Sequence, residues 1–402
     1  RFDKAGGPGR CTMKPQNGSI SSKDLIFSVF CFMQATILRS GYIISMTRND
    51  SWIMAVTGFI FSLPIVAIYA ALLRKFPGKN LIEIDEIIFG PVLGKVVSVL
   101  YLFFFLSLAA LNSWDLGIFV VNFMIPDTPI SAVILISLIG CVYSIRKGIE
   151  NLIYLSTFIF IVAVGSMAIN TILVLKDVQL EYLKPFFRLE PMKYIQGTVS
   201  VTAVPMAEVL AFTMITPMLE KDQKAGKPLL IGLVLSAASM AIVMLRDIIT
   251  LGPLVSIVTL PEFEAVRYIS LAEPLTRMES IYAVVLIVLL LFKVTILLYA
   301  FALGFTHMLS REKQSLPNHH ITSTSSGAGQ PLSQKSYPPL TLVSAALVFF
   351  YSLFVFESVM ENMDWGATAA PFFSLTFAFL LPAVSLLVAS LRKIDRIREV
   401  KV

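Results

Sequence analysis

The run Ile281-Tyr-Ala-Val-Val-Leu-Ile-Val-Leu-Leu-Leu-Phe-Lys-Val-Thr-Ile-Leu-Leu298 holds a single charge, Lys293, in otherwise apolar sequence. A stretch of about 18 such residues is long enough to cross the hydrocarbon of a bilayer. It must cross as a helix, because no water is present there to satisfy an open backbone. A second run, Thr341 to Phe356, carries no charge at all. Working outward from these two, comparable runs recur at about 24–46, 51–73, 95–123, 129–145, 151–175, 194–219, 227–251, 278–308, 339–358 and 371–391. The pattern is that of an all-α integral membrane protein with ten transmembrane helices.

Composition agrees. Hydrophobic residues make up 56% of the 402-residue chain and charged residues 14%, against about a quarter charged in a soluble domain. The net charge of +6 does not indicate nucleic acid, because the basic residues sit between the apolar runs, where they set topology and meet lipid. With the amino terminus in the cytoplasm, the inner segments hold roughly three times as many Lys and Arg as the outer ones. That bias, and an even helix count, place both termini inside. The chain divides into a cytoplasmic segment 1–23, a membrane domain 24–391 with halves 24–175 and 194–391, and a basic tail 392–402. The first 23 residues contain no apolar signal-peptide core. Met13 is the expected natural start, with residues 1–12 an upstream extension. The outer loop Pro253 to Met278, with Phe263, Val266, Ile269 and Leu271, is expected to form short helices over the outer mouth. Residues 314–338, rich in Ser, Gly, Pro and Gln, read as a flexible cytoplasmic linker.

Little points to chemistry. The three cysteines, Cys11, Cys31 and Cys141, are far apart and imply neither a disulfide framework nor a metal site. His319-His320 lies in a polar loop, where solvated side chains outweigh a metal reading. No Gly-rich phosphate loop and no nucleophile with a base is visible, so neither an enzyme nor a cofactor is expected.

Charge inside the membrane is costly and marks function by default. In Thr202-Ala-Val-Pro-Met-Ala-Glu-Val209, Pro205 removes a backbone donor three residues before Glu208. A break there frees backbone groups for a ligand or ion. The alternative is a simple kink with Glu208 in a structural salt bridge. Lys293 is too central to reach the interface. It neutralises Glu208 or Asp115, stands where other transporters hold a cation, or forms a structural ion pair. In the first span, Gln34, Arg39 and Gly41 fit an unwound segment, with Arg39 either facing an anion or reaching the outer interface. Asn112 and Asp115 either line the same cavity or sit near the outer surface. Glu208, Lys293 and Asp115 are the candidates for ion or proton coupling. Adjacent Arg246 and Asp247 read as structural.

Several segments resemble the spore germination permeases, the B subunits of nutrient germinant receptors in endospore-forming bacteria. The most specific is Phe263-Glu-Ala-Val-Arg-Tyr-Ile-Ser-Leu-Ala-Glu-Pro-Leu-Thr-Arg-Met-Glu-Ser-Ile281. Val204-Pro-Met-Ala-Glu208 resembles that family's motif in the sixth span. Phe292-Lys293 with Leu297-Leu-Tyr299 resembles the eighth, and Ile20-Ser-Ser-Lys23 the approach to the first. In the first span, Gln34-Ala-Thr-Ile-Leu-Arg-Ser-Gly-Tyr42 keeps Gln34 and Gly41 of the family's unwound stretch but lacks its proline.

The resemblance implies the amino acid–polyamine–organocation superfamily and a leucine-transporter-like fold of two inverted five-helix repeats with broken first and sixth helices. It implies a small germinant, commonly an amino acid, bound in the midplane between the broken first and sixth helices; the candidate ligand residues are Gln34, Arg39, Gly41, Asn112, Val204, Pro205 and Glu208. It implies A- and C-type partner subunits in the inner spore membrane. Beside this reading stand a proton-coupled transporter of amino acids or organic cations and a purely structural subunit.

Overall fold

The computed structural model describes residues 20–36, 40–174, 178–220, 223–267, 278–314 and 338–392. Among them all regular elements are helical, and only an isolated bridge between Ile20 and Leu219 is extended. The α-helices are α1 (Ser22–Gln34), α2 (Ser40–Thr47), α3 (Ser51–Lys75), α4 (Leu81–Phe123), α5 (Ile130–Arg146), α6 (Ile149–Val174) and α7 (Pro191–Ala203). They continue with α8 (Gly226–Leu251), α9 (Pro261–Arg267), α10 (Met278–Gln314), α11 (Thr341–Phe354), α12 (Val359–Ala367), α13 (Ala369–Leu375) and α14 (Leu381–Leu391).

Local chemistry sets several boundaries. The Ser21 hydroxyl accepts from the Asp24 amide at 3.3 Å to start α1. Asn80 and Glu83 form a reciprocal capping box at the start of α4. Ten residues on, Gly90 adopts φ 84°, a conformation open to glycine, and Pro91 follows. A Cβ added at Gly94 would lie 2.8 Å from the Cα of Glu86, so the first part of α4 folds back on the rest. The spanning part of α4 is therefore the stretch after Pro91, and the short helix before it is missing from the sequence reading. It is short, and Glu83, Asp85 and Glu86 interrupt its apolar residues, so it does not stand out as a run, although the Asn80–Glu83 cap marks its start.

By length and apolarity alone, seven helices among the described residues qualify to cross a membrane, or eight with the bent pair α11–α12. Two of the ten runs fall short of that measure. α5 has 17 residues, and the first run is interrupted after the 13 residues of α1. The run read as 339–358 stops at Phe354 and turns by 99° into α12. The run read as 194–219 is α7 followed, after Val204-Pro205, by a 3₁₀ segment, Met206–Met214. The last span is α13, a π-turn at Thr376–Leu380 and α14. The segment read as a loop with short helices forms a 3₁₀ turn, Gly252–Ser256, and α9. Residues 268–277, most of the 314–338 linker, residues 1–19 and residues 393–402 lie outside the described residues.

The packing reveals a two-fold relation. Taking α1–α2 as the first helix and α7 with its 3₁₀ extension as the sixth, the most extensive contacts between helices recur between the helices five positions on. α1 packs on α8 as α7 packs on α3; α5 on α10 as α11 on α4; α1 on α6 as α7 on α13; α6 on α10 as α14 on α4. The pairs α3–α8 and α4–α10 map onto themselves. Halves of five helices start from opposite faces of the membrane, so the repeat is inverted. α10 is the spine: every residue from Phe292 to Ala302 is buried.

Small residues allow the closest crossings. A Cβ at Gly58 of α3 would meet Val201 Cγ1 at 2.6 Å and Val201 Cβ at 2.7 Å. Overpacking of this kind costs about 1–3 kcal/mol. Gly58→Ala is expected to lower the thermal midpoint of the detergent-solubilised protein by several degrees. Gly140→Ala, whose Cβ would meet nothing within 4 Å, leaves it unchanged.

Candidate functional site

The two broken helices meet at the centre of the bundle. In the first, α1 ends at Gln34, Ala35 and Thr36 tighten into a 3₁₀ turn, and α2 resumes at Ser40. In the sixth, Pro205 lacks the N–H that would continue α7, and the chain turns. The nine residues that follow are all buried and run as a 3₁₀ helix. Segments of 3₁₀ longer than 3–4 residues are uncommon and often mark a hinge. The Tyr69 hydroxyl of α3 lies against this segment, sharing its one proton between the Ala207 carbonyl, at 3.2 Å, and the Ala378 carbonyl of the last span.

Between the breaks stands Lys293 of α10. Its Nζ donates to Thr36 Oγ1 at 2.6 Å and to Glu208 Oε2 at 2.5 Å, so one ammonium binds both broken helices. The ammonium also lies 4.8 Å from the centroid of the Phe32 ring, a cation–π contact. Phe32 in turn packs edge-on against Phe212 at 5.3 Å. Lys293 and Glu208 are 0% and 1% exposed. A buried pair of this kind is held only where its geometry and remaining hydrogen bonds offset the loss of hydration.

The space around the pair is small. A void of about 10 Å³ is lined by Gln34, Thr36, Pro205 and Ser236, and one of about 20 Å³ by Phe30, Gln34, Met167 and Tyr282. Each has room for about one water. The centre is closed, and a ligand larger than water enters only if the breaks separate.

Of the residues singled out from the sequence, Gln34, Val204, Pro205, Glu208 and Lys293 come together here. Lys293 is paired with Glu208, and not with Asp115. Asp115 lies farther out, where Asn362 Nδ2 donates to its Oδ1 at 2.8 Å beside a cavity of about 60 Å³ that Tyr42 also lines. Asn112 donates to the Leu108 carbonyl of its own helix at 2.8 Å. Gly41 serves close packing: a Cβ there would lie 2.2 Å from Thr259 O. Arg39 lies outside the described residues. Arg246 grips Asp247 at 2.6 Å and reaches the Glu262 carbonyl at 3.4 Å, which fastens α8 to α9. Sequence reading missed Thr36 and Phe32. Thr36 has a signal, since it follows Gln34 by two in the same interrupted span. Phe32 has none, being one of 30 phenylalanines.

Breaking one side of a buried pair costs about 3–5 kcal/mol, because a lone buried charge remains. Lys293→Met and Glu208→Gln are each expected to lower thermal stability sharply in detergent. The double variant recovers a large part of the loss. Additive losses in this cycle would show that the two side chains do not act as a pair.

Residues 19–324 match the family described as spore germination protein. Spore germination protein KB of Bacillus subtilis (strain 168) is 27% identical over 358 residues, covering 87% of this chain and 89% of that protein. Spore germination protein YndE of the same organism is 24% identical over 271 residues, covering 66% of this chain and 74% of that one. Among solved structures, the nucleobase–cation symporter Mhp1, closed around bromovinylhydantoin, matches with a TM-score of 0.70 at 12% identity, covering 96% of this chain and 83% of that one. That likeness shows the fold, a leucine-transporter-like inverted repeat. With the family matched over most of its length and the membrane-embedded fold around two broken helices, the chain belongs to the spore germination protein family.

Proposed function

We propose that this protein is the ligand-sensing membrane subunit of a spore nutrient receptor, and that a small germinant carrying an amino and a carboxylate group binds between the broken helices. The observation that carries the reading is Lys293 bonded at once to Thr36 of the first break and Glu208 of the sixth. A zwitterion offers one charge to each member of the pair. Its carboxylate takes the place of Glu208 on Lys293, and its ammonium takes the place of Lys293 on Glu208. Both buried charges stay compensated while the breaks move apart. Gln34, Val204 and Pro205 border the space so opened, and Arg39 and Gly41 belong to the same interrupted span. A ligand shifts a conformational equilibrium only by its differential affinity for the two states, and the swap of partners supplies such a difference.

In this reading the protein sits in the inner spore membrane with both termini in the cytoplasm. It passes the shift to A- and C-type receptor subunits, and it acts through binding alone, without chemistry of its own and without a cofactor. A second reading, proton-coupled transport of amino acids or organic cations, is favoured by the likeness to a symporter. There Glu208 or Lys293 carries the proton, and Asp115 stands on the outer approach.

Hydrogen bonds to charged groups are worth about 1.5–3 kcal/mol, so Glu208→Gln is expected to weaken germinant binding roughly 10- to 100-fold. Spores carrying it, compared with wild type at matched protein level, respond correspondingly less to the nutrient. Purified protein that binds no amino acid, sugar or nucleoside, from spores that germinate normally without it, would remove the sensing reading. Uptake into proteoliposomes driven by a pH gradient, lost in Glu208→Gln with binding retained, would select the transporter.

A further inference from the structure

Asp85 is a fully buried acid, 0% exposed, in residues 81–89, the short helix before Gly90 and outside the spanning stretch of α4. Ser385 of α14 donates its hydroxyl to Asp85 Oδ1 at 2.6 Å. The other oxygen, Oδ2, is buried and has no hydrogen-bond partner among the described residues.

The charged and titratable groups on the surrounding elements are turned to other partners. On α3, Lys75 Nζ donates to the Ala389 carbonyl at 2.9 Å, and the Tyr69 hydroxyl is held by the Ala207 and Ala378 carbonyls. Just past α14, Arg392 Nη1 donates to the Ile88 carbonyl at 2.7 Å. On α10, His307 faces Glu83 at 4.0 Å and Glu86 at 3.9 Å. Lys79 pairs with Glu83 at 3.7 Å, and Arg74 and Lys95 are exposed. Tyr101, on the spanning stretch of α4, is within electrostatic reach of Asp85 but brings no positive charge. Among the described residues no Lys, Arg or His forms an ion pair with Asp85.

A carboxylate with neither water nor a cation beside it takes up a proton in preference to keeping its charge. Burial lifts the Asp85 carboxyl to about 7, and the Ser385 hydroxyl, which favours the charged form, offsets part of the rise. The group also sits at a joint. The short helix is wedged between α3 and α14 through Leu72, Phe76, Ile84, Ile88 and Ala389. Ser385 and Arg392 clasp it to the last span, and a Cβ added at Gly304 of α10 would strike Ile82.

We propose that Asp85 is a proton-binding site, a carboxylic acid with its proton on Oδ2, and that uptake of this proton clasps the short helix to the last span. Release of the proton leaves a bare charge inside an apolar wedge and loosens the clasp. The site rests on neither member of the central pair, and it adds the proton as a ligand whatever solute the centre takes. Because the folded-state value lies above the ordinary carboxylate range, the stabilisation is complete at low pH and is lost as pH rises through about 7.

The test uses the full chain in lipid nanodiscs and follows the carboxylic-acid C=O infrared band and the thermal midpoint against pH. The expected result is an acid band that disappears as pH rises through about 7, with the midpoint falling by several degrees over the same range. Asp85→Asn, of the same shape and always neutral, removes that band and flattens the midpoint. Ser385→Ala takes away the hydroxyl that favours the charge and moves the loss of the band to higher pH. His307→Gln leaves the band in place, since the histidine faces Glu83 and Glu86. Absence of an acid band titrating near 7 in the unmodified chain overturns the proposal without recourse to any variant. So does a band that persists in Asp85→Asn, a band that Ser385→Ala leaves unmoved or moves downward, or a pH-dependent midpoint retained in Asp85→Asn and abolished by His307→Gln.

Discussion

One fully buried lysine organises this molecule. An ammonium taken from water costs several kcal/mol even after relaxation, and Lys293 is fully buried. It persists because three elements converge on it: the end of α1, the start of the 3₁₀ segment and the Phe32 ring. The convergence runs both ways. Two interrupted helices have loose backbone ends that no membrane tolerates, and a fixed cation on the unbroken α10, inside its buried stretch Phe292 to Ala302, gives them a common anchor. The remaining helices serve to hold α10, α1 and α7 in that register, and the paired contacts of the inverted repeat do so from both sides.

The same interruptions let each broken helix act as two pieces. On the side of the chain start, the backbone before α1 pairs with the backbone after the 3₁₀ segment: Ile20 N donates to Met218 O at 2.9 Å and Glu220 N to Ile20 O at 3.2 Å. Ser22 adds bonds to Gln223 Oε1 at 2.5 Å. On the other side, α2 is pressed against the backbone at Thr259 through Gly41. One half of the first helix thus closes each face, and the hinge between them is where Lys293 binds. A long 3₁₀ stretch suits that position, because its bonds are poorer than those of an α-helix and rearrange at lower cost.

Much of this was legible in the sequence for physical reasons that can be named. Ten apolar runs follow from the thickness of the hydrocarbon, and the break at Pro205 follows from a missing donor. Glu208 and Lys293 stood out because charge in such runs is expensive. Their pairing was one of several options, because sequence gives depth along each helix but not its rotation. Asp115 shows the limit: its depth left both a cavity-lining and an interfacial role open, and its contact with Asn362, away from Lys293, came only from the structure. The fold-back at Gly90 was hidden because a short helix whose apolar side chains are interrupted by Glu83, Asp85 and Glu86 makes no run.

The tethered cation also bears on what such a site is for. A site that draws its cation from solution changes occupancy with the ion's concentration, and the free energy of the ion gradient enters the cycle. Here the positive charge is covalently part of α10, so the compensation of Glu208 is independent of any imported ion. What remains able to change is the partner of each charge, and a ligand with two opposite charges is the species that replaces both partners together. A ligand with one charge strands the other member of the pair in a closed, nearly waterless centre, at a cost of about 3–5 kcal/mol, which is about two to four powers of ten in affinity. Discrimination between zwitterions and single-charge solutes therefore follows from the buried pair itself, before any shape of side-chain pocket is considered.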